Sequence, residues 1–450
     1  MQNIRLEKTE KLALEKLSGQ GFCAYIVGGG VRDRLMGKTP LDTDITTSAT
    51  PQQVKQVFCD HKVIETGIKH GTVTVLIDGV PVEITTFRTD GDYKDNRHPE
   101  SVEYTQRIED DLSRRDFTIN AIAYNEGGLV DLFGGMEDIN KKIIRCVGDP
   151  KKRFCEDALR IMRGVRFAAT LGFEIEPNTA AAMRECVHLL KHVSAERIFI
   201  ELKKLLCGKA AERVLCEYSF VITQIIPELA DCVGFLQHNP HHVYDVYAHT
   251  ARVVEETPAV AHLRLAALLH DIAKPQSFTL DDKGVGHFKG HAALGERMAR
   301  KVLERLKTDR FTRERVCLLI AHHNDEIYDN KEQITRLLRK IGQDAFFELL
   351  SLRDADNSAK AEVEKSNFTI TEKMRATALQ IIQEQDCIDI KQLEIDGDEI
   401  MALGVPKGAQ VGKMLEALLE EVISKRICNE KAALTDYVKA TLAGKQNGKM

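Results

Sequence analysis

The chain has 450 residues, 43% of them hydrophobic and 29% charged, with a formal net charge of -5. That length divides into about three or four domains, and the negative balance excludes a globally basic nucleic-acid binder while leaving room for local basic runs. No apolar run approaches the roughly 18–20 residues that cross a bilayer. The opening MQNIRLEKTEKLALEKL reads as an amphipathic helix without a signal-peptide core, so the expectation is a cytoplasmic protein with no membrane contact. Eleven cysteines are scattered from Cys23 to Cys428 without a CxxC pair. An odd number at irregular spacing argues against a disulfide framework or a zinc knuckle, and reads as small buried hydrophobes in a reducing compartment.

In chain order, strand signals are confined to the first third. AYIVG (24–28) is a short apolar run ending in glycines, and GTVTVLIDGVPVEITTF (71–87) alternates around Asp78-Gly79, a hairpin signal. SVEYTQ (101–106) and AIAYN (121–125) add strands, and TPQQVKQVF (50–58) reads as a helix. The densest chemistry lies in VGGGVRDRLMGKTPLDTDITTSATP (27–51). Gly28, Gly29 and their neighbour let backbone N–H groups approach phosphate closely, and Arg32 adds a bidentate fork. Asp42 and Asp44 are two apart, so on an extended strand both carboxylates project from one face. That arrangement suits a pair of Mg²⁺ ions, one activating an attacking hydroxyl and one stabilising departing pyrophosphate. Glu83 on a neighbouring strand is a candidate third carboxylate.

The glycine turn, arginine and DxD in this order resemble the polymerase-β-like nucleotidyltransferases. With RRDFTINA (114–121) the chain resembles the bacterial class II tRNA nucleotidyltransferase and poly(A) polymerase family, with motifs specific through about residue 205. The resemblance implies that Arg115 and Asp116 engage the nucleotide and its ribose; an Asp accepting from a 2′-OH selects ribonucleotides. From the residues alone, Asp116 is equally a structural cap or a partner of Arg114. The segment RTDGDYKDNRHPESVEY (88–104) reads as an exposed loop similar to the flexible loop kept by the family's complete CCA-adding members and missing from its CC-adding members.

After Pro150 the pattern turns helical. RFCEDALRIMRGVRFAATLGF (153–173) reads as one helix, with Asp157 and Arg160 three apart on one face. Spacing alone favours an ordinary surface pair, or Glu156 with Arg160. The resemblance instead implies that Asp157 and Arg160 are the protein template for the incoming base. Asp accepts from the exocyclic amine of cytosine or adenine, Arg donates to the adjacent ring nitrogen, and the carbonyls of uracil and guanine are repelled. Arg163 and Arg166 suit triphosphate contact better than base reading. SAERIFIEL (194–202) supports that helix, with Ser194 as its N-cap.

Further on, His249, His270-Asp271 and Asp356 resemble the HD phosphohydrolase pattern, which implies a divalent ion (Mg²⁺, Mn²⁺ or Ni²⁺) and phosphatase or phosphodiesterase activity. Lys274, His291, His322 and His323 are candidates for phosphate or second-metal contact. The tail, with Lys407 and Gly408 at a helix start, is similar to the family's tRNA-contacting end.

The expected architecture is α+β: a polymerase-β-like nucleotidyltransferase head with a mixed sheet and helices (1–148), then an all-helical neck carrying the template helix (149–237), an HD domain (238–362) and a helical tail (363–450). The expected activity is addition of C, C and A to tRNA from CTP and ATP. An A-adding enzyme or a poly(A) polymerase is the alternative, and the oligomeric state is open.

Overall fold

The computed structural model describes residues 4–40, 42–68, 71–90, 102–238, 243–326, 330–360, 368–384 and 389–447. These fall into two compact units, Met1–Val233 with Val302–Thr308, and Gly234–Lys301 with Asp309–Met450.

The first unit opens with helix α1 (Lys8–Gly19) and a seven-stranded sheet. Its strands are β1 (Ala24–Val27), β2 (Asp44–Thr47), β3 (Lys62–Ile64), β4 (Thr72–Ile77), β5 (Val80–Thr86), β8 (Ile122–Asn125) and β9 (Gly128–Asp131), in the order β3-β4-β5-β2-β1-β8-β9. The β4–β5 hairpin forms as its sequence predicts. Asp78 and Gly79 take φ of 51° and 80°, the double positive φ of a tight turn matching strand twist, and β4 buries alternate residues. Strand β2 runs antiparallel to β1, pairing Ile45 with Ile26, and parallel to β5, pairing Asp44 with Glu83. The SVEYTQ segment joins a different sheet. β7 (Val102–Tyr104) pairs only with β6 (Arg88–Asp90) in a separate ribbon, and the loop expected between them lies mostly outside the described residues.

Short helices line the sheet: α2 (Gly29–Leu35), α3 (Pro51–Val57), α4 (Ile108–Ser113) and α5 (Gly135–Lys141). α3 starts where it should, with Thr50 and Gln53 in a reciprocal capping box and Pro51 in the first turn.

The run expected as one helix is two, α6 (Pro150–Glu156) and α7 (Leu159–Leu171). Asp157 between them is extended, at φ -138° and ψ 102°, and its Oδ1 accepts from the Leu159 amide at 3.1 Å. An Asp side chain that bonds nearby backbone offers the chain an alternative to the helix. Asp157 and Arg160 therefore do not share a helix face. α7 packs tightly; a Cβ on Gly164 would stand 2.2 Å from Met183 Cε and 3.1 Å from the Phe117 ring. The neck continues through α8 (Pro177–Cys186), α9 (Ala195–Leu206), α10 (Ala211–Glu217) and α11 (Ser219–Ile225), with a two-residue ladder of β10 (Ile143–Ile144) and β11 (Glu174–Ile175). Ser194 occupies the N-cap position of α9 but makes no side-chain cap bond.

The second unit is helical apart from the ribbon β12 (Thr279–Leu280) and β13 (Gly286–His287). Helices α12 (Val246–Glu256), α13 (Ala261–Leu269), α15 (Arg310–His322) and α17 (Gln343–Ser358) pack on one another, flanked by α14 (His291–Arg305), α16 (Lys331–Ile341) and α18 (Phe368–Gln383). The tail helices α19 (Gly397–Ala402), α20 (Ala409–Ile423) and α21 (Lys431–Asn447) share a core that includes Ile400, Leu418, Leu419, Leu434 and Val438.

Among the described residues no helix is long and apolar enough to cross a membrane. The expectation that the cysteines are buried is corrected for Cys23, Cys59, Cys155, Cys216 and Cys428, which are exposed.

Candidate functional sites in the head and the HD domain

In the head, the parallel pairing of β2 with β5 sets Asp44 beside Glu83, and Asp42 lies two residues before the strand's first residue; all three are exposed. Desolvation within the surrounding protein raises the Asp44 carboxyl and Glu83 raises it further, Arg115 opposes, and Asp42 adds to the rise. An Asp44 carboxylate whose ionisation is disfavoured, with two more carboxylates beside it, fits a divalent cation. Gly28, at φ 69°, turns the chain from β1 into α2; a Cβ there would lie 3.4 Å from Arg115 Nη1 and 3.9 Å from Asp44 Oδ2. Glycine turn, arginine and the strand carrying Asp44 thus converge. Buried Asp111 fixes that convergence by accepting from Arg115 Nη2 at 3.1 Å and from Thr46 Oγ1 of β2 at 3.2 Å.

Arg32, beside Gly29, donates through Nη1 to Asn120 Oδ1 at 2.7 Å and through Nε to Asp33 at 2.9 Å. Asn120 Nδ2 in turn donates to Asp116 Oδ1 at 3.2 Å, and Arg163 Nε to Asp116 Oδ2 at 2.7 Å. The ion-pair partner of Asp116 is therefore Arg163; Arg114 bonds Asp111 instead. Burial opposes ionisation of Asp116, but Arg163 prevails and holds its carboxyl at about 2. Arg166 donates to Glu201 at 2.8 Å. The guanidinium carbons of Arg32, Arg163 and Arg166 stand 5.2, 5.4 and 3.6 Å from the centre of the Phe167 ring.

Asp157 and Arg160 each have other partners. Arg197 Nη2 donates to Asp157 Oδ2 at 2.9 Å, while Arg160 Nη1 donates to Glu156 at 2.8 Å and Nη2 to the Arg114 carbonyl at 2.8 Å. The Glu156–Arg160 pair is the one spacing favours. Asp111 went unread in the sequence, and Asn120, Arg197 and Glu201 were read only as parts of RRDFTINA and SAERIFIEL, without roles of their own. Arg197 and Glu201 carry one signal, their i,i+4 spacing on α9.

In the second unit the four HD-pattern residues do meet. His249 Nε2 is 3.0 Å from Asp356 Oδ1 and 3.7 Å from Asp271 Oδ2; His270 Nε2 is 3.1 Å from Asp271 Oδ2. Asp271 also faces His291 and His323, at 3.5 and 3.8 Å. Two metal-compatible trios result, His249–His270–Asp271 and Asp271–His291–His323, with Asp271 common to both. The Nδ1 atoms of His270, His291 and His323 each bond the carbonyl three residues earlier at 2.7 Å. That fixes the tautomer and turns the Nε2 lone pairs inward. His291 and His323 then bring Nε2 to Nε2 at 3.1 Å, with Asp271 between them and His270. Facing imidazole lone pairs around a shared buried carboxylate fit a cation. Burial disfavours a charged His270 ring, yet Asp271 and Asp356 raise it to about 10. Lys274 bonds Asp271 at 2.8 Å and Lys360 bonds Asp356 at 2.6 Å. Both lysines line a cavity of about 660 Å³ over the cluster, together with Lys289. His322 is not part of it, since its Nδ1 pairs with Asp325 at 2.5 Å.

These two sites belong to recognised families. Residues 24–145 match the Poly A polymerase head domain, 172–232 the family described as a probable RNA and SrmB binding site of polymerase A, and 241–357 the HD domain. The three matches thus place a Poly A polymerase head domain, its RNA-binding segment and an HD domain along one chain. Its curated relatives include the CCA-adding enzyme of Bacillus cytotoxicus, 52% identical over 196 residues (43% of this chain and 49% of the relative). That of Geobacillus stearothermophilus is 51% identical over 203 residues, 45% of this chain and 50% of the relative. The match thus spans about half the length of these relatives. Along nearly the whole chain the fold is similar to the crystal structure of the Bacillus stearothermophilus CCA-adding enzyme in complex with CTP. The TM-score is 0.74 and the identity 29%, covering 98% of each chain. The Thermotoga maritima CCA-adding enzyme complexed with tRNA shares the fold at 20% identity, with a TM-score of 0.60 over 96% of this chain and 94% of that one.

Proposed function

We propose that the chain is a cytoplasmic tRNA nucleotidyltransferase that adds C, C and A stepwise to the tRNA 3′ end from CTP and ATP, without a nucleic-acid template, releasing pyrophosphate. The observation that carries this reading is the convergence of Asp42, Asp44 and Glu83 with Arg115 and the Gly28 turn, in a fold similar throughout to a CTP-bound CCA-adding enzyme. Mg²⁺ held by Asp42 and Asp44 supplies charge neutralisation for the triphosphate and acidifies the attacking hydroxyl. Arg115, kept beside Asp44 by Asp111, meets the phosphates. Asp116 has one oxygen on Arg163 and one on Asn120, so it is ionised and positioned to accept from a ribose hydroxyl.

Asp157 accepts the exocyclic amine of cytosine or adenine and Arg160 donates to the ring nitrogen beside it. Arg197 and Glu156 hold these two side chains before the base arrives. Arg163 and Arg166 serve the triphosphate. The division 1–148, 149–237, 238–362 and 363–450 follows the same reading, with the last segment on tRNA. The HD domain, with Mg²⁺, Mn²⁺ or Ni²⁺ at His249, His270, Asp271 and Asp356, is a phosphatase or phosphodiesterase for tRNA end repair. The bound ion supplies polarisation of the phosphate and an acidified water, and Lys274, Lys289 and Lys360 attract the anionic substrate.

The test supplies tRNA lacking its last three, two or one nucleotides with each nucleoside triphosphate separately. The expected result is C on the first two and A on the third. Incorporation of A alone, on tRNA already ending in CC, identifies an A-adding enzyme instead; long A tracts identify a poly(A) polymerase.

A further inference from the structure

The HD cluster borders two cavities. The larger, about 660 Å³, has Lys274, Lys289 and Lys360 on its wall. A second cavity of about 300 Å³ is bounded in part by Arg353, Ile370 and Met374, and shares His323, Asn324, Asp356 and Lys360 with the first. Both volumes fall in the range of small-molecule sites. Asp356 stands on the boundary, with Oδ1 3.0 Å from His249 Nε2 and Oδ2 2.6 Å from Lys360 Nζ. The two walls differ in kind. Lysines line the larger, while the smaller sets the apolar Ile370 and Met374 beside Arg353, whose Nη1 donates to the Asp325 carbonyl at 2.8 Å.

We propose that the HD site hydrolyses an acyclic phosphodiester whose two organic groups occupy the two cavities. The phosphate-bearing part of a nucleotide strand sits among the lysines, and one uncharged terminal nucleoside sits against Ile370 and Met374. A phosphomonoester or a 2′,3′-cyclic phosphate carries a single organic group and needs one cavity. An acyclic diester carries a group on each of two ester oxygens and needs room for both. The step balances with water. Its oxygen bonds phosphorus, the P–O bond toward the smaller cavity breaks, and one water proton goes to the departing oxygen. The products are a phosphomonoester, retained by the lysines, and a free alcohol.

The cleavage rests on the hydrolase reading of the HD domain; the second seat does not. The chain has no tryptophan, so one placed on α18 is a sole reporter. Ile370 lines the smaller cavity and is 44% exposed. Leu379, 49% exposed, lies nine residues further along the same helix, about 13 Å away. Both positions accept a larger or charged side chain without disturbing a core.

The experiment compares bis(p-nitrophenyl) phosphate, p-nitrophenyl phosphate and 2′,3′-cyclic AMP as substrates of the full-length protein loaded with Mn²⁺. The acyclic diester is expected to show a kcat/KM roughly tenfold or more above the other two. Ile370→Glu, which sets an anion in the smaller seat, is expected to cut the diester-to-monoester ratio about tenfold. A second readout needs neither metal nor turnover. In chelator-treated protein, bis(p-nitrophenyl) phosphate is expected to quench the fluorescence of Ile370→Trp saturably and to leave that of Leu379→Trp unchanged. Monoester hydrolysis without a diester preference, a preference that survives Ile370→Glu, or equal quenching at both positions overturns the proposal. Hydrolysis of none of the three substrates overturns the hydrolase reading and the cleavage with it, while quenching confined to position 370 still establishes the second seat.

Discussion

Asp42, Asp44 and Glu83 in the head stand exposed, whereas His249, His270 and Asp271 in the HD domain are at most 2% exposed. The surrounding protein already raises Asp44 by desolvation, but the open side of the site lets water screen part of the repulsion. On the proposed function, such a site would acquire its ions with each triphosphate. The HD ligands have been desolvated in folding, and an uncompensated charge there costs several kcal/mol. Lys274 and Lys360, paired with Asp271 and Asp356, offset part of that cost. On the proposed function, the head site suits exchange of its ions and the HD site their retention.

The comparison breaks if either site tolerates loss of its central carboxylate. Asp44→Ala is expected to lower the rate of CMP incorporation by roughly a thousandfold or more while tRNA affinity by filter binding stays close to wild type. Activity above about a tenth of normal would place the metal elsewhere.

For the HD domain, Asp271→Ala removes the one residue common to both trios. Bound metal measured by plasma mass spectrometry is expected to fall to background and metal-dependent phosphate release to vanish, with nucleotide addition kept. His291→Ala is expected to strip only the second position. If it empties both, the cluster holds a single ion.

Smaller effects sharpen the view of the head. Asp157→Ala and Arg160→Ala are expected to lose about 1–3 kcal/mol of base discrimination, read as kcat/KM for all four nucleotides, with relative use of UTP and GTP rising. Unchanged ratios in both would reduce the residues to the ion pairs seen with Arg197 and Glu156. Asp116 tests the interior. Its folded pKa of about 2 lies below the 3.8 of an ordinary aspartate, so its contribution, about 2 kcal/mol, is full above pH 4 and is lost as pH falls through 2. Denaturant unfolding should show Asp116→Asn destabilised by that amount at neutral pH, with the gap from wild type closing as pH drops from 4 toward 2. A gap independent of pH would mean that the carboxylate charge is not what stabilises the fold there.

The head was legible where the signal is local. Asp78-Gly79 specifies its own turn, Thr50-Pro51 its own helix start, and the spacing of Asp42 and Asp44 needs only a strand to become a site. The break at Asp157 was hidden because the apolar period of Phe154 continues into Leu159 and Ile161, and only the competing Asp side chain marks it. The partners Arg197 and Glu201 come from 40 and 35 residues away, a distance no local pattern encodes. In the HD domain the His270-Asp271 dipeptide was readable, but choosing between His322 and His323 was not. Adjacent helical positions point about 100° apart, and packing decides which faces Asp271.

The basic run from Lys151 to Arg166 suggests a surface that pulls in phosphates by bare charge. In the folded chain Lys151, Arg153, Arg160, Arg163 and Arg166 each already lie against a carboxylate, as does Arg32. An arriving phosphate must take over a guanidinium from an internal acid, so it trades one anion for another and liberates few condensed salt ions. Binding through this cluster should depend on ionic strength far less steeply than six unpaired cations would dictate.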